Sequence, residues 1–248
     1  MRYFFEIAYN GKNYSGWQSQ QNSTGIQTVV EEAMSLLLQE KIKITGSGRT
    51  DAGVHCEQQF FHVDITSSFD TKLLSQKLNS FLPQAISIQS IQPVREEAHA
   101  RYDAFERAYR YQITRKKNPF LEGYALYFFR PLDIRTMNEA AALLVGEHDF
   151  ECFSKVKTDV NNFICTIKEA FWEEKGDLFV FNISANRFLR GMVRAIVGTL
   201  LDVGTGKITV ADFKAIISSR DRRKAGANVP PYGLFLVRVQ YPSTVFVK

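Results

Sequence analysis

Apolar positions along the chain switch several times between strand-like and helical spacing. Residues 2–9 (RYFFEIAY) are rich in aromatics and predict a strand, followed by a polar loop, NGKNYSGWQSQQNSTG, over residues 10–25. Ile26, Val29, Val30, Ala33, Leu36 and Leu37 keep helical spacing, and Thr24 with Gln27 forms a T-x-x-Q capping box at the start. A short strand (Ile42 to Thr45), the loop GSGRTDAGVH and a strand from Glu57 to Asp64 come next. Asp70 caps a helix reaching Leu82, where Pro83 ends it, and a strand over Ile86 to Ile91 closes this half.

The second half begins near residue 105. Tyr109, Tyr111 and Ile113 fall on one face of a strand, with Arg110, Gln112 and Thr114 on the other. KKNPFLEG is a loop, and Asp133 caps a helix running to Gly146. Cys165 to Glu174 and Leu178 to Ala185 form a hairpin across Lys175-Gly176-Asp177. A long helix is predicted from Arg187 to Val203, stopping at Gly204, then a helix from Val210 to Ser219 and a last strand from Leu234 to Gln240. The regular rhythm of a doubly wound sheet is missing. The pattern predicts an α+β protein of two halves, 1–104 and 105–248, each an antiparallel sheet with helices packed on it, and an active-site cleft between them.

Composition narrows the function classes. With 248 residues and 45% apolar content the chain can bury a sizeable core, and no apolar run approaches a membrane span. No signal peptide is read at the N-terminus, so a soluble, cytoplasmic protein is expected. Three cysteines (Cys56, Cys152, Cys165) are widely spaced, which suits a reducing compartment better than a disulfide scaffold. His55, His62, His99 and His148 show no zinc-ligand spacing, so no metal is expected. Phosphate-loop and dinucleotide motifs are absent, and no cofactor is expected. The 31 Lys and Arg against 26 Asp and Glu leave a net charge of +5, which permits a polyanionic partner without establishing one.

The loop GSGRTDAGVH carries the sharpest chemical signal. Gly46, Gly48 and Gly53 allow positive φ and leave open space, while Arg49, Thr50 and Asp51 supply one cation, one hydroxyl and one carboxylate. An oriented, ionised carboxylate can act as nucleophile or general base. The plain alternative is a solvated turn in which Asp51 bonds its own backbone. His55 reads as a brace for this loop. Arg187, Arg190 and Arg194, at i, i+3 and i+7 of the predicted helix, would share one face, the plain alternative being an ordinary basic outer surface. Arg194 lies among Val193, Ile196 and Val197, so a partner for its guanidinium is expected. Aromatics alternate with cations at Arg101-Tyr102, Arg107 and Tyr109-Arg110-Tyr111; Tyr14, Trp17 and Tyr109 are the candidates for base stacking, most other aromatics being core.

Taken together, these segments resemble the TruA-type tRNA pseudouridine synthase family. Gly48 to His55 (GRTDAGVH) is similar to its signature, and Tyr14-Ser-Gly-Trp-Gln18 to its YxGWQ loop. Arg101 and the segment Arg107-Ala-Tyr109-Arg-Tyr resemble its basic-x-Tyr-x-Tyr strand, Met192-Val-Arg194 through Gly198 its MVRxIVG helix, and Gly233-Leu234-Phe-Leu236 its closing GLxL strand. The resemblance implies that Asp51 is the nucleophile, that Tyr109 lies against the target uracil, and that Arg194 pairs with Asp51. It further implies that Arg49 helps displace the target base and that Leu234 lines the pocket. The implied substrate is uridine 38 to 40 in the anticodon stem-loop of tRNA, and the implied assembly a homodimer whose basic clefts receive the tRNA. A noncatalytic RNA-binding or RNA-chaperone module, and an enzyme acting on a free nucleoside, are the competing readings. Asp51 favours catalysis, because a pure binder gains nothing from a carboxylate facing phosphate-rich RNA.

Overall fold

The computed structural model describes residues 1–18, 23–155 and 162–247. Part of the polar loop predicted over residues 10–25, residues 19–22, lies outside the described residues. The α+β expectation holds: among the described residues, strands are mostly antiparallel and interspersed with five α-helices. Two compact units emerge, one of Met1–Glu106 with Leu236–Lys248 and one of Arg107–Phe235.

In the first unit, β1 (Arg2–Tyr9) leads to α1 (Ile26–Leu38), β2 (Thr45–Gly46), β3 (His55–Asp64), α2 (Thr71–Phe81) and β4 (Ile86–Pro93). β1 lies between β3 and β4, antiparallel to both. Its aromatic residues explain the pairing: Phe5 faces Phe61 in register, and the rings stack at 5.0 Å. The strand expected over 42–45 contracts to β2, which pairs with His62 and Phe61 of β3.

The T-x-x-Q box does not form. Gly25 is the N-cap of α1, without a side-chain bond, and the first helical N–H groups are taken by loop backbone: Ile26 donates to the Gly16 carbonyl and Gln27 to that of Trp17 (3.0 and 2.9 Å). With the helix start already satisfied, the Gln27 amide turns to Glu31 and the Ile44 carbonyl. Asp70 does cap α2, accepting from the Leu73 N–H at 2.8 Å, and α2 packs on β4.

In the second unit, β5 (Glu106–Thr114) is followed by β6 (Leu126–Tyr127), α3 (Ile134–Ala142), β7 (Gly146–Asp149), β8 (Ile164–Lys175), β9 (Leu178–Ala185), α4 (Met192–Gly204), α5 (Val210–Ser219) and β10 (Leu234–Gln240), the last crossing into the first unit. The sheet runs β5-β9-β8-β7, with β6 parallel to β5. The predicted hairpin closes across Gly176, and Asp133 caps α3 by accepting from Thr136 N–H. That helix stops at Ala142 instead of Gly146, because Gly146 starts β7 against β8.

The larger correction concerns α4. It starts at Met192, after Gly191 at φ +72°, and not at Arg187. Arg187 and Arg190 therefore precede the helix, and the shared arginine face expected from i, i+3, i+7 spacing does not exist. A left-handed residue cannot continue a right-handed helix, so the pattern was broken at the one residue that periodicity ignores. Nearly all of α4 is buried, against α3 and α5. No helix among the described residues is long and apolar enough to cross a membrane.

Two predictions follow from packing. A Cβ at Gly198 of α4 would lie 1.8 Å from the Ala227 carbonyl oxygen, so Gly198→Ala forces backbone apart and should cost about 2–3 kcal/mol in urea unfolding. A parent-like midpoint would refute that contact. His62, buried in β3, accepts the Ala100 N–H on Nδ1 at 3.1 Å and meets the His99 ring at 4.7 Å. Burial first, then the positive neighbours His99 and Arg2, outweigh Asp64 and Asp103 and push its pKa from 6.5 down to about 4. The folded state thus resists protonating this ring: its contribution is full above pH 6.5 and is lost as pH falls toward 4. His62→Gln, which keeps an acceptor without titrating, should flatten the decline of unfolding free energy across that window; an unchanged slope would remove His62 as its source.

Candidate active site

The loop from Gly46 to His55 is fixed by its neighbours on two sides. On one side lies the Tyr14-Ser-Gly-Trp17 segment. The Trp17 N–H donates to the Thr50 carbonyl (3.3 Å) and the Gly53 N–H to the Tyr14 carbonyl (3.2 Å). Gly16, at φ +92°, approaches so closely that a Cβ there would lie 2.3 Å from the Thr50 oxygen. On the other side a buried hydroxyl chain rises from the sheet. Tyr9 OH donates to Gln59 Oε1 at 3.1 Å, which leaves the Thr50 hydroxyl to donate to Tyr9 at 2.8 Å. Gln59 Nε2 then donates to the Gly48 carbonyl at 3.2 Å.

Asp51 occupies the crest between these anchors, half-exposed, with Val54 N–H closing a turn onto its carbonyl at 3.2 Å. The residues before and after it are therefore held by backbone and hydroxyl bonds. Of the three loop glycines only Gly53, at φ +77°, uses the left-handed region. Gly46 instead makes room for the Trp17 indole, and Gly48 has open space where a Cβ would be. His55 is buried and braces the loop base, accepting the Gly11 N–H on Nδ1 at 3.2 Å. Arg49 is exposed, its Nε donating to Gln18 Oε1 at 2.9 Å.

Trp17 is not a stacking surface. It is 2% exposed, packed near Tyr9 and Phe61 with centroids 6.2 and 6.1 Å away. Its apolar bulk is what the YSGW segment sinks into the core, which in turn brings Gly16 onto Thr50. Tyr14 is half-buried.

The second unit holds the other sequence-derived candidates. Tyr109, half-buried on β5 opposite Ile183, meets the Phe188 ring edge-on at 5.1 Å. Arg194, in the first turn of α4, donates from Nε to the Val229 carbonyl at 2.7 Å, and Val229 N–H returns a bond to the Arg194 carbonyl at 3.2 Å. Leu234 is buried at the start of β10. Tyr111, left to packing by the sequence, is buried with its OH donating to the Pro230 carbonyl at 2.9 Å, and burial pushes its pKa upward. Segment 229–234 thus links Arg194, Tyr111 and Leu234 within one unit, whereas Arg49 and Asp51 belong to the other.

Sequence reasoning missed Tyr9 and Gln59 as supports of the loop, since nothing in their local pattern marks them, and marked Gly16 only as part of the YxGWQ resemblance without a supporting role. Thiol chemistry is disfavoured: Cys56, Cys152 and Cys165 are buried, and burial raises their pKa values, to about 12 for Cys152 and about 11 for Cys165. A carboxylate on a fixed crest is left as the foremost nucleophile candidate in this unit.

The chain is similar along its length to known proteins. The sequence pattern of the family described as tRNA pseudouridine synthase matches residues 7–103 and 140–242. A tRNA pseudouridine synthase A of Porphyromonas gingivalis is 48% identical over 250 residues, covering 99% of each chain. One from Parabacteroides distasonis is 48% identical over 99% of this chain and 98% of its own. One from Exiguobacterium sibiricum is 37% identical, covering 98% of each. Matches of this identity along the full chain, with the glycine-flanked Asp51 loop inside the matched region, show that this chain belongs to the tRNA pseudouridine synthase family of isomerases.

Proposed function

We propose that this chain converts uridine to pseudouridine at positions 38 to 40 of the tRNA anticodon stem-loop, with Asp51 as the nucleophile. The observation that carries the reading is the Asp51 carboxylate on a crest held by Thr50, Gly53 and Val54. The reaction breaks the N1–C1′ glycosidic bond, turns the detached uracil, and joins C5 to C1′; the C5 hydrogen leaves as a proton and N1 takes up a proton in its place. No electron leaves and no phosphoryl group moves, so neither a cofactor nor a metal is required.

The target nucleotide has to leave its stack, at a cost of a few kcal/mol, about what stacking on one aromatic ring offsets. Tyr109, half-exposed on β5, is assigned to hold the uracil, and buried Leu234 to pack against it. Arg49 assists displacement of the base. Arg194, its Nε fixed to Val229, presents positive charge for the Asp51 carboxylate and is its assigned partner. The anionic substrate suits the net charge of +5, and the active assembly is a homodimer in the cytoplasm.

Tritium release from tRNA labelled at uridine C5 tests the reaction and the nucleophile together. The parent protein should release tritium without added cofactor, while Asp51→Asn, which keeps size and hydrogen bonding, should lose about a thousandfold or more in turnover and still bind tRNA. Arg194→Met should also turn over far more slowly. Binding without release by the parent would leave an RNA-binding module instead, and appreciable turnover in Asp51→Asn would take the nucleophile role from Asp51.

A further inference from the structure

We infer that Arg222 is a positioning residue for Arg194, acting through the strap of residues 225–229. This rests on the role assigned to Arg194 above. The run Arg220-Asp-Arg-Arg-Lys224 is dense in charge, and the fold separates its members. Arg223 is 88% exposed and forms a fork with its neighbour Asp221, at 2.8 to 3.1 Å. Arg222 is half-buried and turns inward to three acceptors. Its Nη1 donates to the Ala225 and Gly226 carbonyls at 3.3 and 3.0 Å, and its Nη2 to Asn228 Oδ1 at 2.7 Å.

Those acceptors lie on the strap that follows α4. Gly226 N–H donates to Thr199 Oγ1 at 2.9 Å, and the Thr199 hydroxyl donates to the Ala195 carbonyl at 2.8 Å. The Ala227 carbonyl presses on Gly198, and Asn228 Nδ2 would lie 3.2 Å from a Cβ at Gly191, the N-cap residue just before the helix. The strap ends at Val229, whose carbonyl receives Arg194 Nε and whose N–H bonds the Arg194 carbonyl. One guanidinium therefore ties both the middle of the strap and its Asn228 side chain one residue before the contact that orients Arg194. A planar fork can serve separated acceptors at once, whereas a lysine ammonium is a single point charge. Misplacing a reacting group's partner by a fraction of an ångström lowers the rate constant without requiring lost binding.

The test is the saturating single-turnover rate constant for tritium release, with enzyme in excess, so that misfolded molecules change the amplitude and not the rate constant. Arg222→Met should lower that constant about tenfold while tRNA affinity stays within about twofold of the parent. Arg222→Lys, which keeps charge but not the fork, should resemble Arg222→Met. Arg223→Met removes equal charge next door and should match the parent. Asn228→Ala removes one acceptor, is expected to be about threefold slower, and carries the test if Arg222→Met fails to fold. A parent-like rate constant in Arg222→Met, a loss seen in affinity alone, or full recovery with lysine would overturn the assignment. Arg194→Met is measured alongside. If it turns over normally, the role assigned to Arg194 falls and the positioning role with it, while the isomerase reading stands; if it is impaired while Arg222→Met is normal, only the positioning role falls.

Discussion

The backbone contact between Gly16 and Thr50 is the constraint on which the candidate site depends. Two main chains meet there with no room for a Cβ, and the approach is driven from behind by burial of Trp17 beside Tyr9 and Phe61. A buried indole contributes a few kcal/mol, roughly 1.5–3 or more, enough to hold a loop that would otherwise be free to open. The hydroxyl chain from Gln59 through Tyr9 to Thr50 fixes the same loop from the sheet side. The backbone on either side of Asp51 is thereby placed.

A similar logic governs the second unit. α4 is almost wholly buried, so its one half-exposed arginine, Arg194, is oriented by what passes alongside it. The strap at 225–229 is pressed onto the helix at Gly198, bonded at Thr199, and finished by the paired bonds between Val229 and Arg194. The chain then continues through Pro230, which accepts from Tyr111, to Leu234. Packing of an apolar helix and placement of a charged group are here the same set of contacts.

How far the sequence foretold this depends on which physical signal each feature uses. A run rich in aromatics marked β1, and Asp70 and Asp133 marked the starts of α2 and α3, because strand propensity and capping are local. The start of α4 was misread because apolar spacing continues through Phe188 and Leu189 while Gly191 turns left-handed. The T-x-x-Q box was misread because distant carbonyls of Gly16 and Trp17 took the helix N–H groups first. Asp51 and Arg194, each in its own unit, stand out in the sequence as misfits, a carboxylate among glycines and a cation among apolar residues. Trp17 was misjudged because an aromatic in a polar loop looks like a binding ring until its burial is known. Arg222 was hidden within a run of charges, and only its three inward bonds separate it from Arg223.

The central claim is that the Gly16 contact holds the Asp51 carboxylate where it can react, and Gly16→Ala probes that most directly. The added methyl would meet the Thr50 oxygen at 2.3 Å on a backbone already at φ +92°. With cooperative unfolding and tRNA binding retained, the single-turnover rate constant for tritium release should fall about a hundredfold. A Gly16→Ala protein that releases tritium at the parent rate would contradict the account, since the loop would then place Asp51 without the contact said to hold it.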